Sequence, residues 1–144
     1  MWIGGAIGLL AIVYGIVSGV MMGGMGSAPD DVDVSTTQQS ENGLFNVSYT
    51  AATGAVPVNQ MHEWTLHVET ADGQAVENAT IEVNGDMPQH GHGLPTSPKV
   101  TQYLGNGDYR VEGLRFQMAG WWVMDFTITA NGQTDKVHFN MLLQ

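Results

Sequence analysis

Apolar and polar side chains alternate along most of the chain after position 44, and this alternation constrains the fold more than any other feature. It is clearest in residues 45–49, 64–68, 81–83, 122–128 and 137–141. Successive side chains of a β-strand point to opposite faces of a sheet, so a period of two predicts strands with one buried face. A helix would instead need apolar residues every three or four positions.

Short turn sequences separate these runs. Asn131-Gly132 is the strongest hairpin signal, because a two-residue turn of this type needs positive φ at both positions. The alternation that begins at Tyr109 changes parity at Gly113, which predicts a β-bulge. About seven short strands within residues 43–144 predict an all-β fold, an immunoglobulin-like antiparallel β-sandwich.

The amino-terminal residues have a different composition. Residues 1–26 contain no charged side chain, and about 20 apolar helical residues cross a bilayer core of roughly 30 Å. We predict a single transmembrane anchor helix over residues 1–26. A cleavable signal peptide is the alternative, but the Lys/Arg-containing start of such a peptide is missing. Residues 27–42 are polar and acidic, and they are predicted to form a linker.

Small residues recur every three or four positions of the predicted helix; they are Gly4, Gly8, Ala11, Gly15 and Gly19. Such a stripe gains nothing from lipid, whereas a second helix can approach closely along it. We therefore expect a helix-packing interface with integral membrane protein subunits, although glycine is also common in membrane segments. The acidic domain is expected on the periplasmic side of a bacterial inner membrane.

The charge balance and the absence of cysteine exclude several classes of function. The chain has 14 acidic residues against 4 Lys and Arg, for a net charge of −10, and no cysteine. Nucleic-acid binding needs a basic surface, whereas a basic soluble electron carrier would be attracted. Disulfides, thiol catalysis and cysteine-based zinc sites are excluded. No nucleophile–base pair is visible, so we do not expect an enzyme.

The candidate metal ligands are Met87, His90, His92 and Met118. The first three lie in a segment rich in Gly and Pro that is expected to be a long loop. Imidazole and thioether donors together suit copper, especially Cu(I), better than calcium, magnesium or structural zinc. In an extended chain His90 and His92 would point to the same side and could bind one ion. Alternatively, both histidines only hydrogen-bond within the loop or to a neighbouring subunit.

Other histidines and methionines have simpler explanations. His67 and His138 fall on the polar faces of their strands, so both are expected at the surface. His62 is in phase with inward residues and is expected to be partly buried. Met124 and Met141 are in phase with core residues and are predicted to pack there.

Several segments resemble the YtkA-like group of proteins, which is related to FixH-type proteins. They are residues 72–79, residues 87–96 with the Met87-Pro88-Gln89-His90-Gly91-His92-Gly93 run, and residues 107–122 with Met118-Ala119-Gly120-Trp121. The resemblance covers roughly residues 44–142. It implies a periplasmic immunoglobulin-like domain, often tethered to the membrane, that takes part in copper handling and oxidase assembly. It also implies that Met87, His90, His92 and Met118 are copper ligands.

One position departs from the pattern of the group. Trp121 stands beside Trp122, where a more polar residue is expected. We expect this aromatic pair to be exposed, and Trp121 to shield a site or dock a partner.

Two hypotheses about function follow. The first is a non-catalytic accessory subunit of a bacterial membrane electron-transfer complex, either a photosynthetic reaction centre or a respiratory oxidase, whose periplasmic face the sandwich caps. The alternative is a tethered periplasmic copper chaperone that delivers Cu(I). An adhesion or ligand-binding module remains a third class, since fold does not determine function, but it leaves the Met/His run unexplained.

Overall fold

The computed structural model describes Pro29 and residues 31–144, so the predicted anchor helix and its stripe of small residues lie outside the described residues. None of the described residues belongs to a helix long and apolar enough to cross a bilayer. The strands of the described part are β1 (Thr37–Gln39), β2 (Phe45–Ala51), β3 (His62–Thr70), β4 (Thr80–Met87), β5 (His92–Gly93), β6 (Lys99–Gly105), β7 (Asp108–Leu114), β8 (Gly120–Ala130) and β9 (Gln133–Leu143).

The strands form two antiparallel sheets, in the orders β1-β2-β3-β7-β6 and β5-β4-β8-β9. Without the short edge strands β1 and β5, the order of the other seven is that of the two sheets of an immunoglobulin constant-type domain. The predicted antiparallel β-sandwich is therefore confirmed. The two additional strands have three and two residues, which is too short for alternation to be recognised in the sequence.

The inward faces of the two sheets supply the core, as the alternation predicts. Trp64 and Trp122 have no exposed surface, and the ring of Tyr49 stacks on Trp64 at a centroid distance of 4.1 Å. The predictions that Met124 and Met141 pack in the core are confirmed, since both are buried.

Two predicted backbone features are also confirmed. Asn131 and Gly132 have φ angles of 55° and 76°, and they connect β8 to β9 in a two-residue hairpin. In the pairing of β3 with β7, His62 lies opposite Leu114, whereas Trp64 lies opposite Val111. One extra residue therefore bulges from β7, next to Gly113 with its φ of 88°.

Part of the segment predicted as a linker contributes a strand to the sandwich. β1 pairs with β2, and the buried carboxylate of Asp135 accepts hydrogen bonds from the Ser40 hydroxyl at 2.6 Å and from the backbone N–H groups of Asn42 and Leu44. Ser40 and Asp135 are 95 residues apart in the chain. The polar sequence of the segment shows no sign of this distant partner.

Candidate metal centre

Met87 and His92 are directly opposite each other in the short ladder between β4 and β5. Opposite residues of antiparallel strands project to the same face of the sheet. The backbone N–H groups of His90 and Gly91 both donate to the Met87 carbonyl at 3.0 Å, and Gly91 has a φ of 68°. The expectation of a long loop is therefore wrong at this point, because β4 and β5 hold Met87, His90 and His92 in a tight hairpin.

The two histidines of the hairpin are close enough to share one ion. His90 is exposed and His92 is half-buried, and their ring centroids are 5.8 Å apart. A metal–nitrogen bond of roughly 2.0 Å places an imidazole centroid about 3 Å from the ion. Two rings on opposite sides of one ion would thus have centroids about 6 Å apart, and the observed separation fits within this limit.

Contacts around His92 determine which of its nitrogens is free. Its Nδ1 lies 3.2 Å from the carbonyl oxygen of Gly93, and its ring meets Trp122 edge-on at a centroid distance of 6.0 Å. A ring nitrogen that faces a carbonyl carries the proton, so the lone pair of Nε2 remains available for a metal. Metal-binding histidines are commonly oriented in this way.

The two candidate methionines lie in different elements: Met87 ends β4 within the hairpin, and Met118 lies just before β8. Met87 is fully buried, and a Cβ at Gly120 would lie only 2.7 Å from its Cε. Met118 is half-buried, and its carbonyl accepts a hydrogen bond from Trp122 Nε1 at 3.0 Å. Met87 has no exposed surface, so its main role is to pack in the core. Its sulfur could bind a metal ion only if the ion lay on the inner face of the hairpin.

The chemistry of these donors restricts the metal. No group of three or more His, Asp or Glu side chains in the described part of the chain is placed to hold a metal ion. The candidate donors at the hairpin are the imidazoles of His90 and His92, with the thioether sulfurs of Met87 and Met118 as the soft donors beside them. Calcium and magnesium need oxygen ligands, whereas a nitrogen and thioether set suits Cu(I).

His62 is a core histidine, as its phase in the strand indicates. It is 8% exposed, its Nε2 accepts a hydrogen bond from Trp64 Nε1 at 3.1 Å, and its Nδ1 faces the Gln60 carbonyl at 3.0 Å. Both ring nitrogens are engaged, so His62 has no lone pair to offer a metal.

His67 lies on the outer face of its sheet, between two carboxylates. Its Nδ1 is 2.7 Å from Asp108, and its Nε2 is 2.8 Å from Glu69. Partial burial by itself lowers the pKa of His67, but the hydrogen bonds and charges of the two carboxylates outweigh it and raise the pKa.

His138 repeats this arrangement on the other sheet, between Asp125 and Glu41. Again burial lowers the pKa of the imidazole, and the two carboxylates together raise it. The prediction that His67 and His138 are surface histidines is confirmed, and neither has a free ring nitrogen.

The expectation of an exposed Trp121–Trp122 pair is wrong. Trp122 is fully buried, whereas Trp121 is half-buried on the outer face and donates from Nε1 to Asn140 at 2.9 Å. Adjacent residues of a strand point to opposite faces, so the two rings cannot form one surface.

Trp121 has other apolar neighbours on the surface. It pairs with Leu142, which is 49% exposed, and Leu142 lines a shallow groove together with Val34, which is 48% exposed. We call Val34, Trp121 and Leu142 the Trp121 patch. The sequence carried one signal for it, because three apolar residues in a row at 141–143 require one to face outward.

Sequence reasoning also missed Gln117, which lies beside the histidines. Its Nε2 is 3.3 Å from the Gly93 carbonyl and 3.4 Å from His92 Nδ1. Nothing in the sequence around Gln117 indicates a neighbour on β5.

Comparison with known proteins gives a family and a fold. A family model described as YtkA-like matches residues 45–127, a range that includes all four candidate ligands. The crystal structure of a DUF4426 family protein from Pseudomonas aeruginosa PAO1 is similar, with a TM-score of 0.51 and 16% identity over 75% of this chain and 94% of that chain. At this identity the similarity concerns the fold alone. No curated protein matches the chain.

Proposed function

Because the chain belongs to the YtkA-like family, we propose that its sandwich is a non-catalytic copper-binding domain that holds Cu(I) with His90 and His92. The observation that carries the proposal is the β4–β5 hairpin, which sets two imidazole rings 5.8 Å apart. The half-buried thioether of Met118 and the buried thioether of Met87 are the candidate sulfur ligands beside them. Such soft donors bind Cu(I) and exclude hard cations.

The two histidines would have different parts in handling the ion. His92 is held by the Gly93 carbonyl and by Trp122, so it would keep its position whether or not copper is bound. His90 is exposed at the turn and is the ligand that a receiving protein could replace. The domain would thus deliver Cu(I) as cargo in the periplasm.

The test is a competition titration of the full chain with Cu(I) and a chromophoric chelator under anaerobic conditions. We expect one Cu(I) site per chain, with affinity lowered at least tenfold in His90→Ala and in His92→Ala, since each removes a direct ligand. His67→Ala and His138→Ala are matched controls, because those rings are already engaged by carboxylates. Their affinity should equal that of the wild type.

Two outcomes would overturn the copper proposal. One is a wild-type chain that leaves all Cu(I) with the chelator. The other is equal loss of affinity in the hairpin variants and in the matched controls, which would mean that copper binds histidines non-specifically.

We also propose that the chain is an accessory subunit of a bacterial membrane electron-transfer complex, either a photosynthetic reaction centre or a respiratory oxidase. The Trp121 patch supports this, because two of its apolar side chains are about half exposed on an otherwise acidic domain. The uncharged residues 1–26, with their small-residue stripe, would supply the contact within the membrane. A copper-binding domain could be part of such a complex, so the two proposals are compatible.

Gentle solubilisation of the native membrane, followed by isolation of this chain, tests the subunit proposal. Large redox subunits should be recovered with the wild type, and Leu142→Asp should weaken their recovery. Leu104→Asp is the matched control, since Leu104 is 40% exposed but lies on the other sheet. Recovery of the wild type only as a free monomer would refute the subunit proposal.

A further inference from the structure

Gln117 carries a polar atom that the fold leaves unsatisfied. The side chain is half-buried, and its Oε1 is buried without a hydrogen-bond partner among the described residues. A buried acceptor that finds no donor destabilises the folded state, whereas an apolar side chain of similar size would avoid this penalty. Stability alone would therefore favour leucine or methionine at position 117.

The amide nitrogen of Gln117 is the end that makes contacts. Nε2 donates to the Gly93 carbonyl oxygen at 3.3 Å. It also lies 3.4 Å from His92 Nδ1, but an amide nitrogen and a protonated Nδ1 are both donors, so this second approach is not a hydrogen bond when the Gly93 carbonyl holds the Nδ1 proton. The reverse orientation of the amide would place Oε1 against the Gly93 carbonyl, where two acceptors would repel each other. The reversed amide would also bring Oε1 to the Nδ1–H of His92, but it would lose the shorter contact with the Gly93 carbonyl, so the observed orientation is the one that keeps the donor on Gly93.

The Gly93 carbonyl connects Gln117 to the candidate ligand. It also faces His92 Nδ1 at 3.2 Å, and a carbonyl oxygen can accept two hydrogen bonds. A donor from Gln117 fixes the direction of this carbonyl, and the carbonyl in turn keeps the proton of His92 on Nδ1. The Nε2 lone pair is then turned outward to a metal.

We infer that Gln117 is a positioning residue for copper binding, which acts through Gly93 and His92 and does not touch the ion. This inference rests on the proposed copper function. It explains why an amide that weakens the fold stands at position 117. The inference applies to His92 and not to His90, since Gln117 contacts Gly93 and His92.

The test compares Gln117→Leu with the wild-type full chain, kept in mild detergent because of its apolar first 26 residues. We expect Cu(I) affinity to fall about tenfold, the lower end of what removal of an outer-shell partner causes. The unfolding midpoint in urea should be unchanged or higher. Gln133→Leu, an exposed position at the opposite end of the sandwich, should change neither quantity. A merely structural role would instead lower the unfolding midpoint.

Double variants test whether Gln117 acts on copper binding through His92. Gln117→Leu should have no further effect on affinity in a His92→Ala chain, but its full effect in a His90→Ala chain. Equal effects in both backgrounds, or wild-type affinity in Gln117→Leu, would overturn the inference.

A metal-free measurement keeps this inference separate from the copper proposal. Long-range ¹⁵N–¹H NMR correlations report which ring nitrogen of His92 carries the proton. We expect Nδ1–H in the wild type and a mixture of tautomers in Gln117→Leu. If the wild type binds no copper, the copper proposal fails. Independently of that result, the same His92 tautomer in the wild type and in Gln117→Leu would refute the role of Gln117.

Discussion

Met87 occupies the space that a side chain at Gly120 would need. A Cβ at position 120 would lie 2.7 Å from Met87 Cε, closer than unbonded atoms approach. Gly120 also has a φ of 132°, which L-residues rarely adopt. This contact joins the start of β8 to the end of β4. A change at Gly120 would therefore disturb both the packing of the core and the position of Met87, a candidate ligand.

Gly120→Ala should therefore destabilise the sandwich by about 1–3 kcal/mol, because the methyl group must displace Met87 as well as strain the backbone. Urea unfolding measures the change. In a Met87→Ala background the clash is gone, so the loss caused by Gly120→Ala should shrink to the backbone contribution. Equal losses in both backgrounds would show that the Met87–Gly120 contact is unimportant.

Met87→Leu separates packing from copper binding. Leucine conserves most of the volume, so the free energy of unfolding should fall by less than about 1.5 kcal/mol. If Met87 is a copper ligand, loss of its sulfur will also weaken Cu(I) binding in the chelator competition. Met124→Leu is the control, because Met124 is equally buried in the adjacent strand. Unchanged affinity in Met87→Leu would leave Met118 as the sulfur ligand.

The two histidines that lie between carboxylates, His67 and His138, should make stability depend on pH above about pH 6.5. The folded-state pKa of His67 and of His138 is raised above the ordinary value of 6.5. Their contribution is therefore fully present below about pH 6.5 and is lost as the pH rises through the raised pKa. Since both rings are partly exposed, each pair should contribute roughly 0.2–1 kcal/mol.

Urea unfolding at a series of pH values checks this expectation. Stability should decline from about pH 6.5 upward in the wild type, and the decline should flatten in the double variant His67→Gln, His138→Gln. An unchanged slope in the double variant would show that other groups cause the pH dependence.

Asp135 holds the segment before β2 onto β9, so Asp135→Asn should loosen that segment. The carboxylate accepts from the hydroxyl of Ser40 and from the backbone of Asn42 and Leu44, and an amide cannot replace all of these acceptors. We expect a loss of about 1–3 kcal/mol and faster hydrogen exchange at residues 42 and 44. Asp72→Asn, at an exposed turn, should change stability by no more than about 0.5 kcal/mol.

The same carboxylate predicts sensitivity to acid. Burial raises the pKa of Asp135, but the hydrogen bonds from Ser40, Lys136, Asn42 and Leu44 outweigh it and lower the pKa below its ordinary 3.8. Its contribution is present above about pH 3.8 and is lost as the pH falls through the lowered value. In Asp135→Asn the free energy of unfolding should fall less steeply with acid below about pH 5, because the contribution of the Asp135 carboxylate is already missing.

Features that depend on neighbours in the chain could be predicted from the sequence. The alternation predicted the buried faces of the strands, and Met124 and Met141 lie in the core as expected. The hairpin at Asn131-Gly132 and the bulge at Gly113 could be predicted because their backbone conformations are set by one or two residues. The burial of Met87 was not predictable, since no alternation shows that β4 continues to position 87. The run 122–128 did put Trp122 in phase with the core and Trp121 on the outer face, so the expectation of an exposed pair departed from that parity.

The sequence by itself determined the class of fold, because side-chain direction along a strand follows from parity alone. It also identified His90, His92 and two methionines as the unusual donors. Only the tertiary structure decided that Met87 lies opposite His92, that Gln117 reaches Gly93, and that Asp135 holds residues 40–44. Those contacts depend on which strands pair and in which register. A register is chosen by the packing of the whole sandwich, and no local run of residues encodes it.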